Sequence, residues 1–342
     1  MKILAIETSC DDTAVAVMQA RGTSIKTLAQ VTASQIPIHR RYGGVVPEVA
    51  ARAHAETIIP TIKEVFAQLG LDPDRAMKKP PIDAIAVTSG PGLVTSLWVG
   101  VTTAKLLARE WDVPVFGVNH MVGHIYSSLV NQKLPEFPML ALIVSGGHTE
   151  IVWMKNPTSW KKIGSTRDDA AGEAFDKFGK VLGFSYPGGP EISKRAEKGN
   201  AAAIQFPRPM INDGTYDFSF SGLKTSGRMW AEAQKKLTPK LIADGCASYQ
   251  AAIVDVIITK TVRAIEQYKP KTVVLGGGVS ANDALRNELL ARTKHIKGVK
   301  IHIPEKQYTT DNAAMIGAAA YFTKNKFKSS WRSLAANPAF EI

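Results

Sequence analysis

The chain has 342 residues, 45% hydrophobic and 21% charged, the make-up of an ordinary soluble globular protein with enough apolar mass for one large or two medium cores. A net charge of +12 and a pI near 9.5 attract polyanions and make nucleic acid a live partner. Two distant cysteines, Cys10 and Cys246, exclude a disulfide framework and a zinc ribbon; with no signal-type segment and no run approaching a membrane span, a cytoplasmic protein without a membrane partner is expected.

Ile3 to Met18 and Met139 to Met154 fall into register, so that Ser9 aligns with Ser145, Thr13 with Thr149 and Met18 with Met154. Each copy reads as a hairpin: a buried apolar run, a small polar turn, and a second alternating run. Such turns aim backbone N–H groups and hydroxyls into a hollow suited to phosphate oxygens. A duplicated fold that grips a nucleotide is expected.

After the first hairpin, Ile36 to Pro47 is a breaker-rich loop and Glu48 to Leu69 has helical periodicity. Leu71 to Pro81 reads as a surface connection, Ile82 to Thr88 as a buried strand ending in Ser89-Gly-Pro-Gly92, and Leu93 to Trp111 as a helix. Val113 to Val118 is a strand and His120 to Val130 a helix, and Pro135 to Pro138 is the expected hinge, giving domains of 1–137 and 138–342. In the second half, Asp169 to Leu182 and Pro190 to Gly199 are helical around a Tyr186-Pro-Gly-Gly-Pro190 turn, and Gln205 to Ser221 is an irregular lobe or binding loop. Leu241 to Tyr268 is a long amphipathic helix, Thr272 to Leu275 a strand, and Gly276-Gly-Gly-Val-Ser-Ala-Asn282 a glycine turn into another helix. Strands alternating with helices make the class α/β.

His120 and His124 stand four apart, within about 40° on one helical face and close enough to share a metal ion. A third ligand is available in Asp311, just before an Ala-rich helix, where the plain alternative is a capping carboxylate. Met121 follows the first histidine where a zincin carries the glutamate that activates water, so proteolysis by that mechanism is not supported. The glycine turn can bring backbone close to a nucleotide at a helix N-terminus, while the Walker sequence is absent. Acidic residues gather at the turns: Glu7, Asp11 and Asp12 in the first, and Asp168, Asp169, Glu173 and Asp176 after the second.

Taken in order, Ile6-Glu-Thr-Ser-Cys-Asp-Asp-Thr13, His39 with Tyr42-Gly-Gly-Val-Val-Pro-Glu48, Ser89-Gly-Pro-Gly-Leu93, Asn119-His-Met-Val-Gly-His124, Val144-Ser-Gly-Gly-His-Thr149, Phe218-Ser-Phe-Ser-Gly-Leu-Lys224, Gly276-Gly-Gly-Val-Ser-Ala-Asn282 and Thr310-Asp-Asn-Ala-Ala-Met315 resemble one family along nearly the whole chain. It is the bacterial tRNA adenosine threonylcarbamoyltransferase family, TsaD. The resemblance implies the duplicated two-lobe actin-like ATPase (ASKHA) fold. It implies one divalent metal, iron or zinc, on His120, His124 and Asp311. It implies threonylcarbamoyl-AMP contacts at Ile143, Val144, Ser145, Gly146, Gly147, Asp176, Gly189 and Asn282, with ATP or ADP able to enter the same cleft. Two positions depart from the family, which often has Glu at Asp12 and at Val122; neither is an implied ligand.

The activity so implied is transfer of the threonylcarbamoyl group from threonylcarbamoyl-AMP to N6 of adenosine 37 in tRNAs reading ANN codons. Asp11 is the candidate proton acceptor. His39, Arg40, Arg41, Arg52, Lys324, Lys326, Lys328 and Arg332 are candidate phosphate contacts. Implied partners are tRNA, a separate threonylcarbamoyl-AMP synthase, a degenerate paralogue that heterodimerises through the first lobe, and a small ATPase. The alternatives are a small-molecule kinase of the same fold or a nucleotide-gated interaction module; a metalloprotease is disfavoured.

Overall fold

In the computed structural model, β1 (Lys2–Glu7) and β2 (Asp12–Arg21) form the first hairpin. The structure describes residues 1–342, the side chains of Lys324 and Asn325 excepted. Ile3 pairs with Met18 and Glu7 with Ala14. The hairpin is followed by β3 (Ser24–Ser34), β4 (Ala84–Gly90) and β5 (Val115–Asn119). With a short strand at Lys328–Ser329 they make one sheet, ordered Lys328–Ser329, β5, β4, β1, β2, β3. β1, β4 and β5 run parallel, and the hairpin strands antiparallel.

Both faces of β1 are covered, which is why its residues are apolar without alternation. Leu4 and Ile6 pack with Ile58, Ile62 and Phe66 of the Pro47–Gln68 helix and with Val101 of the Val94–Glu110 helix. Each such burial is worth about 1.5–3 kcal/mol. The opposite face carries the Ala313–Phe322 helix, whose Gly317 lies so close to Met18 and Ala5 that a Cβ there would meet Met18 Cγ at 2.6 Å. That helix is buried over nearly its whole surface.

The second sheet repeats the first. β6 (Met139–Val144) and β7 (Thr149–Asn156) pair Met139 with Met154 and Val144 with Thr149, the register of β1 and β2 shifted along the chain. β8 (Ser159–Ser165), β9 (Thr272–Gly276) and β10 (Lys300–His302) complete the order β10, β9, β6, β7, β8. β9 lies parallel to β6 with Thr272 opposite Met139, as Ala84 lies opposite Ile3. The duplication therefore extends past the hairpin to the strand that precedes each glycine turn.

The chain divides into two units: Met1–Pro135 with Pro157–Ser159 and Pro304–Ile342, and Glu136–Asn156 with Trp160–Ile303. The division between them falls after Pro135, and residues 304–342, expected in a second domain of 138–342, group with the first unit. Residues 304–342 return to the first unit because the Ala313–Phe322 helix buries itself against β1 and β2 and against the His120–Ser127 helix. A further difference concerns apolar length. The Pro239–Tyr268 helix does have the length and hydropathy of a span, yet 67% of its apolar window is buried, among the core of the second unit. It is enclosed rather than amphipathic, which explains the long apolar run. Leu71 to Pro81 holds a short helix, Pro73–Lys78, capped by Asp72.

Candidate active site

In the first unit β5 ends at Asn119, whose Oδ1 accepts from the amides of Met121 at 2.9 Å and Val122 at 3.2 Å. This cap fixes where the helix begins, so His120 and His124 follow on one face, with ring centroids 4.6 Å apart. Asp311 arrives from the far end of the chain: its Oδ1 lies 3.5 Å from His120 Nε2 and 3.2 Å from His124 Nε2. Asn312, not Asp311, caps the Ala313–Phe322 helix, accepting from the Met315 amide at 3.0 Å. The capping alternative for Asp311 is thereby removed.

Among the described residues, His120, His124 and Asp311 form a group whose ligand atoms lie within 4.8 Å of one another. The donor set fits a divalent transition ion: two imidazole nitrogens and a carboxylate oxygen. His124 is 1% exposed, and neither of its ring nitrogens makes a hydrogen bond of good geometry, which suits a nitrogen awaiting a ligand. Burial resists charge on His120, but Asp311 and Glu7 outweigh it and raise its pKa to about 9. Burial and the charge of His120 push His124 down, so it stays neutral. Glu7, buried at the end of β1, would be raised by burial alone; His120 holds it ionised and below the usual range.

Asp11 is raised by burial and by Asp311, which makes it a better proton acceptor than an exposed aspartate. Asp12 is pushed by burial to about 7, and its Oδ1 has no hydrogen-bond partner. Cys10 is driven up by burial and the surrounding carboxylates, and Cys246 to about 12 by burial, so neither thiol is a nucleophile at neutral pH.

In the second unit the Ser145–His148 turn is closed by Ser145 N to His148 O at 2.8 Å and His148 N to Ser145 Oγ at 3.1 Å. Gly146 and Gly147 are exposed, and a Cβ at either would meet nothing within 4 Å. Ile143 and Val144 instead lie in β6 with buried side chains, so they present the turn rather than reach beyond it. Asp176 Oδ1 accepts from the amides of Gly188 at 2.8 Å and Gly189 at 3.2 Å, holding the start of the Gly188–Ala196 helix. Asn282 caps the Asp283–Thr293 helix through Leu285 N, while its Nδ2 donates to Ser193 Oγ and Gln250 Oε1.

Asp168 is exposed yet engaged: burial opposes its ionisation, but bonds from Ser219, Phe220 and Ser221 outweigh it and hold the carboxyl low at the start of the Ser221–Glu232 helix. Asp169 pairs with Lys177 and Lys224. His39 is buried between Gln35 Oε1 and the Val46 amide, so it supports its loop and cannot meet a phosphate. Arg40, Arg41, Arg52, Lys326, Lys328 and Arg332 are exposed, and Lys324 lies outside the described side chains.

The family model of TsaD, tRNA N6-adenosine threonylcarbamoyltransferase, matches residues 26–318. A tRNA N6-adenosine threonylcarbamoyltransferase of Moorella thermoacetica is 46% identical over 94% of this chain and 91% of its own. Another, of an Anaeromyxobacter species, is 44% identical over 100% of both. Among solved structures, HypF of T. kodakarensis matches with a TM-score of 0.61 at 14% identity, over 95% of this chain and 48% of HypF. The activator of the 2-hydroxyisocaproyl-CoA dehydratase of Clostridium difficile, solved with bound ADPNP, matches with a TM-score of 0.52 at 12% identity, over 95% of each chain. These structures place the duplicated sheets in the actin-like ATPase fold, and the sequence relatives carry the chemistry: the chain belongs to the TsaD family of tRNA N6-adenosine threonylcarbamoyltransferases.

Proposed function

We propose that the chain catalyses acyl transfer from threonylcarbamoyl-AMP to N6 of adenosine 37 in tRNAs reading ANN codons, in the cytoplasm. The observation that carries this reading is relatedness at 44–46% identity along nearly the full chain, combined with the meeting of His120, His124 and Asp311. The N6 lone pair attacks the carbamoyl carbon, the new C–N bond forms, the bond to the phosphate oxygen breaks, and AMP leaves with the electron pair. An aromatic amine is a weak nucleophile, so positioning and charge stabilisation must supply most of the rate.

His120, His124 and Asp311 would hold one divalent ion, iron or zinc, which supplies Lewis acidity toward a carbonyl or phosphate oxygen. Asp11, raised by its surroundings, takes the proton lost from N6. The exposed Ser145–Gly147 turn offers backbone amides to the acyl phosphate. Gly189 and the Asp176 and Asn282 side chains stand beside the ribose and base, and the carboxylate and amide of those two side chains set the helix starts that frame the adenylate. ATP or ADP would occupy the same turns; the dehydratase activator of similar fold was solved with bound ADPNP. Beyond tRNA, the partners we propose are a threonylcarbamoyl-AMP synthase, a small ATPase, and a degenerate paralogue docking on the first unit.

The test is to mix the protein, unmodified ANN-decoding tRNA and threonylcarbamoyl-AMP, with and without partners, and to assay threonylcarbamoyladenosine by nucleoside mass spectrometry. Product that disappears in His120→Ala and Asp311→Ala supports the reading. Absence of product in every partner combination, with nucleotide still bound, overturns it in favour of an assembly module or a kinase.

A further inference from the structure

We infer that Glu7 is a positioning residue for the metal centre: its buried carboxylate holds the His120 ring with Nδ1 protonated, leaving Nε2 as the ligating nitrogen. The inference rests on the metal reading above. His120 Nδ1 lies 3.1 Å from Glu7 Oε2, while His120 Nε2 faces Asp311. Glu7 has no exposed surface. Its two oxygens receive three donors, since Ser9 N reaches Oε1 at 2.5 Å and Thr88 Oγ1 reaches Oε2 at 2.5 Å. An ionised carboxylate only accepts, so the imidazole nitrogen beside it must be the donor. Ligating histidines commonly give their other N–H to a carboxylate in this way, which fixes tautomer and ring orientation.

The duplication supplies an internal control. In the register shared by the two hairpins, the place of Glu7 is taken by Ile143, and Gly276 sits opposite Ile143 on the neighbouring parallel strand as Thr88 follows Val87 beside Glu7. Ile143 is fully buried in the same kind of strand end. The fold thus closes this position with an isobutyl-sized hydrophobe and needs no carboxylate. Ser9 Oγ also lies 3.2 Å from His120 Nδ1 and can accept a share of the same N–H, but Ser145 occupies that place in the other copy, so the turn serine does not distinguish the two. The acid and its hydroxyl donor occur in the copy whose unit also carries His120, His124 and Asp311, and a buried charge there is costly unless it is used.

The discriminating substitution is Glu7→Gln, close to isosteric. Glutamine has one acceptor oxygen and one amide donor; with its oxygen on the Ser9 amide, its NH₂ faces His120 Nδ1 and favours the opposite tautomer, with the proton on Nε2. The second is Glu7→Ile combined with Thr88→Gly, which copies the pair of the other hairpin and keeps the strand end packed. The probe is cobalt(II) alone, titrated into the full chain, with affinity and the visible absorption of the bound ion both recorded, and with thermal melting as the check on folding. Both variants are expected to melt as cooperative folded proteins, to bind cobalt(II) about 10–100-fold more weakly, and to show an altered visible band; Ser9→Ala removes the neutral hydroxyl beside Nδ1 but keeps the Glu7 acceptor, and is expected to keep the wild-type band. Wild-type affinity and band in either folded variant overturn the inference. So does weaker binding with an unchanged band, which would mean a general loss of negative charge rather than a turned ring. Failure of the unsubstituted chain to take up cobalt(II) overturns the metal reading itself, and this inference with it.

Discussion

Lys260 Nζ, on a side chain with no exposed surface, donates to Asp213 Oδ1 at 2.8 Å. The same ammonium reaches the carbonyls of Thr215 at 3.2 Å and Asp217 at 2.5 Å, and Arg263 adds a donor to Thr215 O. The stretch 205–220, which has neither helix nor strand beyond a bridge from Phe218 to Thr166, is therefore tied at residues 213–217 to the Pro239–Tyr268 helix by Lys260 and Arg263. Lys260→Met keeps the apolar stem and leaves these acceptors without a donor, so it should cost about 1–3 kcal/mol in urea unfolding and expose the 205–220 stretch to limited proteolysis.

The same pair sets an acid limit. Burial opposes ionisation of Asp213, but the bonds from Lys260 and Thr215 prevail and lower its pKa from 3.8 to about 2. Lys260 is also lowered, chiefly by burial; it stays charged throughout the acid range, so the carboxylate governs there. A carboxyl with a depressed folded pKa gives its full stabilisation above the unfolded value and loses it as pH falls through the folded one. The stability gap between wild type and Asp213→Asn should thus be constant above about pH 4 and close towards pH 2. A gap independent of pH in acid unfolding curves would sink this account.

Asp311 and Asn312 are neighbours with separable tasks. Asn312→Ala removes the cap on the Ala313–Phe322 helix and should cost about 1 kcal/mol, with metal uptake kept at temperatures where the chain is folded. Asp311→Ala removes a carboxylate that faces His120 and His124, while the helix keeps its Asn312 cap. It should leave the melting temperature of the metal-free chain within a few degrees, yet abolish metal retention by elemental analysis and reduce threonylcarbamoyladenosine formation at least about 100-fold. Loss of stability without loss of metal in Asp311→Ala would return that residue to a structural role.

How far these features could be read in advance depended on their physics. The two hairpins were legible because matching Ser, Thr and Met positions fix the pairing register, and the structure repeats it residue for residue. The His120–His124 spacing and the glycine turns were legible for the same local reason. β3 and β8 were not, since Ser24–Ser34 and Ser159–Ser165 mix polar and apolar positions at half-buried strands. Nor could the sequence tell which sheet would claim the Ala313–Phe322 helix, because a helix apolar on every side suits any core. The role of Glu7 was hidden among neighbouring carboxylates: composition marks an acidic turn, and only the three-dimensional placement of Thr88 and His120 separates Glu7 from Asp11 and Asp12.

Gly277 and Gly278 give a test of the second glycine turn. Gly277 has φ +87, and a Cβ there would stand 2.4 Å from the Val144 carbonyl oxygen; at Gly278 a Cβ meets nothing within 4 Å. Gly277→Ala combines a left-handed backbone with a clash against β6 and should destabilise by about 2–4 kcal/mol. Gly278→Ala should stay within about 0.5 kcal/mol. Equal melting temperatures for the two variants would show that the turn relaxes away from β6 at little cost.

Nucleic-acid affinity should separate Arg40 and Arg41 from their neighbour. Both arginines are exposed beside Tyr42, which is 59% exposed, whereas His39 is buried. Phosphate contacts make the logarithm of the binding constant fall linearly with the logarithm of salt, each contact contributing slightly less than one to the slope. Arg40→Ala with Arg41→Ala should weaken tRNA binding at low salt and flatten that slope by about 1.5–2. His39→Ala removes the acceptor of the Val46 amide and the partner of Gln35, so it should lower thermal stability and leave the slope of the remaining folded protein unchanged. A slope identical in the double variant would move the tRNA footprint away from this loop, toward the exposed Lys326, Lys328 and Arg332.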